Sequence, residues 1–392
     1  MPCHGRAAEG SFNPSGGSQR QPPAIPIAMK LGFGLYRHML NDEHYRFARQ
    51  CGATHAVVHL VDYFNQGGGA NARTDQPLGD LHGWGHAGDS NQLWTVEELI
   101  SIKRDLNRHG LEWAAIENFD PAHWHDILLD GPQRDAHVEN VKTILRRMGE
   151  VGIPVMGYNF SLAGVAGRIK GTFARGGAEA VGMAGPVDDA IPNGMVWNMV
   201  YDANAPAGFL APISHEQFWD RFARFLRDVI PTAEEAGVTL ALHPDDPPMP
   251  TVRGQPRLVY QPRFYQQMAG LHPSPRNAME FCVGTVAEMT EGNAEECLDL
   301  HSRQGRVAYV HLRNIRGKVP DYRETFIDDG EVNAGRILEI LHRNGFQGVV
   351  IPDHAPSMSC DAPWHAGMAF AMGYMKARID ALQGAEEPPP TP

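Results

Sequence analysis

Short apolar runs alternate with longer amphipathic segments along most of the chain, and this alternation restricts the fold more than any other feature. Eight runs have the length and residue types of buried strands; they cover 31–35, 55–61, 111–117, 154–159, 238–243, 277–282, 306–311 and 348–353. Segments of helical period follow these runs, near 42–51, 95–110, 138–148, 215–236, 260–270, 286–303, 332–344 and 364–382. Eight strand–helix pairs in this order predict a single parallel (β/α)8 barrel, the TIM-barrel fold.

A doubly wound nucleotide-binding sheet is the alternative fold, but its phosphate-binding motifs are missing. Arg37 stands where the third glycine of a GxGxxG motif beginning at Gly32 belongs. No GxxxxGK[ST] motif occurs in the sequence. The glycine run at 67–69 lacks a flanking strand and helix, so we expect only a flexible loop there.

The barrel is expected to occupy residues 29–383 as one domain. Residues 160–213, after the fourth strand, are rich in Gly, Ala and Pro and predict a long irregular insertion. A loop of this length is usually functional, so we expect a lid or an arm of a homo-oligomer. The ends, 1–28 and 384–392, have the composition of disordered termini.

Charge and cysteine content limit the partners and the compartment. With 46 acidic and 34 basic side chains the net charge is -12, which argues against nucleic acid or an anionic membrane as partner. Five cysteines in 392 residues do not suggest a disulfide framework, so a reducing cytoplasm is expected. Residues 1–28 lack the apolar run of a secretory signal, and no segment has the pattern of a membrane span.

The last four predicted strands each end in a residue that can bind a metal. These residues are His243, Cys282, His311 and Asp353. A single histidine or cysteine is more often packed in a core than bound to a metal. Because active sites of barrels lie at the carboxyl ends of the strands, however, four donors in this register predict one divalent-metal site.

Other polar residues near the predicted strand ends are candidates for substrate binding. Glu117 and Asn159 end the third and fourth strands and are expected to bind substrate hydroxyls, as is His59 near the end of the second. Asp245 and Asp246 follow His243 in a proline-rich loop and could orient a ligand or bind a hydroxyl.

A cluster of cations follows the seventh strand and predicts an anionic substrate. Arg316, Lys318 and Arg323 lie in this loop, although Arg316 and Lys318 could equally form surface ion pairs. Arg313, two residues beyond His311, is expected to point inward and to grip a substrate carboxylate with its planar guanidinium.

At these residues the sequence resembles the mannonate dehydratase family of the xylose-isomerase-like barrels. The most specific segments are HPDDPP at 243–248, HLR at 311–313 and PDH at 352–354. Weaker matches lie at 52–54, 93–98, 158–160, 231–237, 282–284 and 329–332. Together they run in order across residues 30–375.

The resemblance implies a lyase that converts D-mannonate to 2-dehydro-3-deoxy-D-gluconate and water in hexuronate catabolism. It implies that Mn²⁺ or Fe²⁺ is held by the four strand-end residues, whereas ligand softness alone favours Fe²⁺ or Zn²⁺. His354, directly after Asp353, matches a catalytic histidine of the family and could act as acid or base.

One departure concerns a tyrosine that is thought to donate a proton in the family. By this resemblance, Met368 occupies the corresponding position. Tyr322 and His365 are the expected replacements besides His354. A metal-dependent isomerase or epimerase of sugars, and a non-catalytic sugar-acid binder, remain alternatives to the dehydratase.

Overall fold

The computed structural model describes residues 1, 29–65, 77–78, 82–186 and 188–384. The tails expected at 1–28 and 384–392 therefore lie almost wholly outside the described residues, as does the glycine run at 67–69. No described helix has both the length and the apolar content that a membrane crossing requires.

Eight parallel strands close into a barrel in the order β1-β8-β7-β6-β5-β4-β3-β2. Their bounds are β1 Lys30–Leu35, β2 His55–Val58, β3 Glu112–Glu117, β4 Val155–Tyr158, β5 Thr239–Leu242, β6 Asn277–Cys282, β7 Val307–His311 and β8 Val349–Ile351. All eight strands coincide with predicted runs, so the predicted (β/α)8 barrel is confirmed.

The helices pack around the barrel. Their bounds are α1 Asp42–Gln50, α2 Val96–Arg108, α3 Pro121–Leu129, α4 Arg134–Val151, α5 His215–Ala236, α6 Arg263–Leu271, α7 Val283–Glu288, α8 Ala294–Arg303, α9 Ala334–Arg343 and α10 Pro363–Gly384. Helix α3 was missed because all but its last residue are buried, which removes the amphipathic period.

The single helix predicted at 286–303 is two helices. Gly292 has a φ of 76°, a left-handed conformation that glycine adopts without strain. Asn293 then accepts hydrogen bonds from the amides of Glu295 and Glu296 and caps α8. The prediction was wrong here because helical period alone does not reveal a break between two short helices.

The insertion at 160–213 is more regular than predicted. Strands at Arg168–Ala174 and Ala178–Ala184 form a hairpin. This hairpin pairs with a second one, formed by Asn314–Lys318 and Asp321–Thr325 after β7, in a four-stranded antiparallel sheet. The pairing joins segments about 140 residues apart, which local sequence patterns do not report.

Candidate metal centre and active site

The four predicted metal ligands meet at the carboxyl ends of β5 to β8. The donor atoms of His243, Cys282 and His311 all lie within 4.8 Å of one another. Asp353 lies beside them, with one carboxylate oxygen 3.5 Å from Nδ1 of His311 and the other 3.7 Å from Sγ of Cys282. Barrel closure thus brings together residues that are 110 positions apart in the chain.

Both histidines are oriented so that one ring nitrogen faces the cluster. His243 donates its Nδ1 hydrogen to the carbonyl oxygen of Pro244 at 2.6 Å, which leaves the lone pair of Nε2 for a metal. Nε2 of His311 lies 3.2 Å from a carboxylate oxygen of Glu117 and 3.2 Å from one of Glu280. Donation from Nε2 leaves the lone pair of Nδ1 pointing at Cys282 and Asp353.

The Cys282 side chain is held as a thiolate. Burial by itself raises the pKa of this thiol, but the Arg313 guanidinium and the neighbouring His243 and His311 side chains together lower the pKa to about 5. Thr285 donates its hydroxyl hydrogen to Sγ at 3.2 Å. Two imidazoles, a thiolate and a carboxylate form a donor set that fits a divalent transition metal.

Asp353 and His354 form a tight corner after β8. Asp353 has a φ of 57°, an uncommon conformation for a residue other than glycine that occurs often at functional sites. Nδ1 of His354 lies 3.0 Å from Glu324, and Nε2 lies 3.3 Å from Asp353. Burial lowers the pKa of His354, but the two carboxylates outweigh it and raise the pKa above its ordinary value.

A cavity opens over the cluster and brings most of the predicted site residues together. His59, Glu117, Asn159 and His354 line it, as do three of the four metal-ligand candidates. Asp245, Arg313, Tyr322 and His365 are not among the described residues that line it.

Asp245 makes contacts that stabilise its own loop, and it is not among the described residues that line the cavity. Its carboxylate pairs with the buried Arg257 at 3.2 Å and accepts the amide hydrogens of Leu258 and Val259 at 2.8 Å. These contacts hold the proline-rich loop in place, so the geometry speaks against substrate binding by Asp245. Its neighbour Asp246 lines the cavity instead.

Arg313 points inward as expected, but it is enclosed by carboxylates and turned away from the cavity lining. Its nitrogens lie 2.9 Å from Asp246, Glu288 and Glu324 and 3.0 Å from Asp353. Only 2% of its side chain is exposed. With its donors occupied in this way, the guanidinium orders the walls of the site, and the geometry speaks against a contact with a substrate carboxylate.

Arg316 and Lys318, in contrast to Arg313, turn outward. Arg316 pairs with Asp329 on the exposed face of the hairpin, and Lys318 binds the carbonyl oxygens of Ala287 and Met289. The interpretation of these cations as a patch for an anionic substrate is therefore not supported by their placement.

The two expected replacements for the tyrosine lie behind or beside the cavity. The Tyr322 hydroxyl donates to Asp246 at 3.4 Å and is buried. The His365 ring packs against the rings of Phe47 and Trp364, with centroids 4.7 and 4.9 Å away. Met368, at the position assigned to the missing tyrosine, does line the cavity.

Several residues of the site were not found from the sequence. Glu280 is fully buried next to His311, and its place two residues before Cys282 on the same face of β6 was an available signal. Arg168, from the insertion, is the only arginine or lysine among the described lining residues. Tyr36 and Tyr63 supply the phenols of that lining. For Arg168 and Tyr36 the sequence offered no comparable signal.

The fold and the cluster define the class of the protein. It is a (β/α)8 barrel whose late strands carry a set of candidate metal ligands at their carboxyl ends. The chain belongs to the mannonate dehydratase family, because the family model described as D-mannonate dehydratase (UxuA) matches residues 81–169 and 203–387.

Individual relatives agree with this assignment. Mannonate dehydratase 2 of Halalkalibacterium halodurans is 31% identical over 278 residues, which cover 67% of this chain and 79% of that protein. Mannonate dehydratase of Geobacillus thermodenitrificans is 29% identical over 289 residues, 67% of this chain and 76% of that protein. The crystal structure of mannonate dehydratase from Streptococcus suis serotype2 shares the fold, with a TM-score of 0.71, 24% identity and coverage of 92% and 96% of the two chains.

Proposed function

We propose that the chain is a metal-dependent hydro-lyase that converts D-mannonate to 2-dehydro-3-deoxy-D-gluconate and water. The observation that carries this proposal is the convergence of His243, Cys282, His311 and Asp353 on a cavity that His354 also lines. Membership of the mannonate dehydratase family supports the choice of substrate. Hexuronate catabolism in the cytoplasm, by a homo-oligomer, is the setting that we propose for it.

The cofactor is proposed to be Mn²⁺ or Fe²⁺, held by the four strand-end residues. When bound, such an ion stabilises negative charge that develops beside the substrate carboxylate as the C2 proton is removed. His311 and His243 are already turned by their partners to present one nitrogen each, so the site needs little rearrangement to accept the ion.

His354 is proposed to remove the proton from C2. It lies beside Asp353 and lines the cavity, and its contact with Glu324 fixes the ring. Asp246, Asn159 and Glu117 line the same cavity and are placed to accept or donate hydrogen bonds to sugar hydroxyls.

Arg168 is proposed to bind the substrate carboxylate, the role first expected for Arg313. Arg168 lines the cavity and belongs to the insertion hairpin. A planar guanidinium can form two parallel hydrogen bonds with a carboxylate. The acidic groups nearby would repel a sugar acid without such a cation.

The test is turnover by the purified protein, stripped of metal and reloaded with Mn²⁺ or Fe²⁺, on a panel of aldonic and uronic acids. Formation of a 2-keto-3-deoxy acid from D-mannonate supports the proposal. Exchange of the C2 hydrogen with deuterated solvent without loss of water would instead indicate an epimerase. Ligand-induced thermal stabilisation without any chemical change would indicate a binding protein.

A further inference from the structure

Loss of water from a sugar acid requires two proton transfers on the cavity wall. One group takes the C2 proton, and another gives a proton to the departing C3 hydroxyl. His354, after β8, is proposed for the first transfer. The second group must also face the cavity and must carry a proton at neutral pH. The Tyr36 and Tyr63 phenols line the cavity, and burial raises the pKa of Tyr63 well above its ordinary value.

We propose that Tyr63 is the catalytic residue that protonates the departing hydroxyl and that His59 is its positioning residue. This inference rests on the proposed dehydratase function and deepens it. Both residues follow β2, whereas His354 follows β8, and β1 lies between these two strands in the barrel. The two proton-transfer groups therefore lie on nearby but separate parts of the cavity wall.

A chain of hydrogen bonds fixes the Tyr63 hydroxyl. Its oxygen lies 2.9 Å from Nδ1 of His59 and accepts a hydrogen bond from Nδ2 of Asn118 at 3.0 Å. The amide of Asn118 is oriented in turn, because its Oδ1 accepts from Asn159 at 2.9 Å. Asn118 therefore stabilises the phenolate oxygen that remains once the proton has left.

The far side of the His59 ring faces the metal-ligand shell. Its Nε2 lies 3.7 Å from Glu117, whose other carboxylate oxygen contacts His311. Tyr36 stacks on the same ring with centroids 4.4 Å apart, so the imidazole is held on two sides. A carboxylate beside Nε2 favours the tautomer with the hydrogen on Nε2, which leaves Nδ1 to accept from the Tyr63 hydroxyl.

Rotation about the phenol C–O bond moves the Tyr63 hydrogen from His59 to the substrate. The C2 proton passes to His354, the C3–O bond breaks with its electron pair, and the leaving hydroxide takes the Tyr63 proton to form water. The resulting enol takes up a proton at C3 and loses the proton of its C2 hydroxyl, which gives the 2-keto-3-deoxy acid. His354 then releases a proton to solvent, and the Tyr63 phenolate takes one up. The cycle is balanced and needs no further reactant.

Both residues also lie outside the part of the chain that the family model matches, which begins at residue 81. The other phenol candidate, Tyr322, donates a hydrogen bond to Asp246 and is not one of the described residues that line the cavity. Tyr36 lines the cavity too, but its ring stacks on the face of the His59 ring.

The decisive experiment compares D-mannonate with its 3-deoxy-3-fluoro analogue, using the metal-loaded enzyme. Fluoride is a weak base and leaves without a proton, whereas hydroxide does not. Tyr63→Phe should lower kcat on D-mannonate about 10²–10⁴-fold, the usual effect of general acid catalysis, and should change turnover of the fluoro analogue less than about tenfold. Metal content and Tm should remain those of the wild type.

Tyr265→Phe is the matched control, because this tyrosine is also fully buried and its hydroxyl has no hydrogen-bond partner among the described residues. It should leave both rates unchanged. Equal losses on both substrates, or no loss on either, would overturn the role of Tyr63. A wild-type enzyme that releases neither water nor fluoride would overturn the proposed function and this inference with it.

A double-mutant cycle tests His59. If His59 acts through the Tyr63 hydroxyl, His59→Ala should lower kcat on D-mannonate in the wild-type background and should have almost no further effect in Tyr63→Phe. A structural role for His59 would lower activity by the same factor in both backgrounds, and that result would overturn its assignment as a positioning residue.

Discussion

Replacement of Arg313 by methionine should destabilise the fold more than it weakens substrate binding. The side chain is 2% exposed and contacts Asp246, Glu288, Glu324 and Asp353 at 2.9–3.0 Å. Methionine preserves most of the volume but removes the positive charge that these acidic groups share. Removing one partner of a buried ion pair typically costs about 3–5 kcal/mol.

Dividing this loss of unfolding free energy by the average unfolding entropy of a barrel of about 350 residues gives a decrease in Tm of roughly 4–7 °C. The Cys282 pKa should also rise, because Arg313 is the strongest of the groups that lower it, and metal should be held less tightly at neutral pH. Urea unfolding, calorimetry and metal titration measure the three effects. A variant within about 1 kcal/mol of wild type, with only KM increased, would refute this reasoning and restore Arg313 as a carboxylate-binding residue.

Four further outcomes are expected. Cys282→Ala and His311→Ala should each reduce bound metal in elemental analysis, and undiminished metal in both would remove them from the ligand set. His354→Ala should lower kcat about 10²–10⁴-fold with metal content unchanged; activity within a few fold of wild type would exclude it from proton transfer. Arg168→Gln should raise KM for the acid much more than it lowers kcat, and an unchanged KM would contradict carboxylate binding. Stability should fall as the pH drops from about 6.5 to about 4, by roughly 3 kcal/mol at most for each of two buried histidines. Burial and the nearby His125 lower the pKa of His137 to about 4, and burial and Arg306 lower the pKa of His301 to about 4. The unfolded chain therefore binds more protons than the folded chain in this pH range. Urea titrations across that range measure the slope, which should decrease in His301→Gln.

The strand ends were predictable because the carboxyl ends of parallel strands share one edge of the barrel whatever the loops do. His243, Cys282 and His311 could therefore be placed together from strand register alone. The same reasoning failed for residues beyond the strands. The sequence does not say which of Asp245 and Asp246 turns into the cavity, because that depends on the partner, Arg257, that holds Asp245 outside it.

Arg313 shows a second limit of the sequence. Its inward direction followed from its position after His311, but its function depends on how many acidic groups surround it. Glu288 lies on α7 and Glu324 on a hairpin strand, and neither position carries a local signal that it will reach the guanidinium. An arginine next to a metal ligand can bind a substrate or balance buried charge, and only the tertiary contacts distinguish the two.

The residues of the site come from two parts of the fold, the barrel strands and the four-stranded sheet, and substitutions are expected to be tolerated differently in the two. The barrel strands fix the ligand set and the Glu117 and Glu280 carboxylates behind it. The four-stranded sheet over the barrel supplies Arg168 from one hairpin and Glu324 from the other. Because these hairpins pair with each other and not with the described barrel strands, changes in them can alter the charge that faces His354 while the candidate metal ligands stay in place. Differences in sugar-acid preference among barrels with the same ligand set are therefore expected to lie in such hairpins.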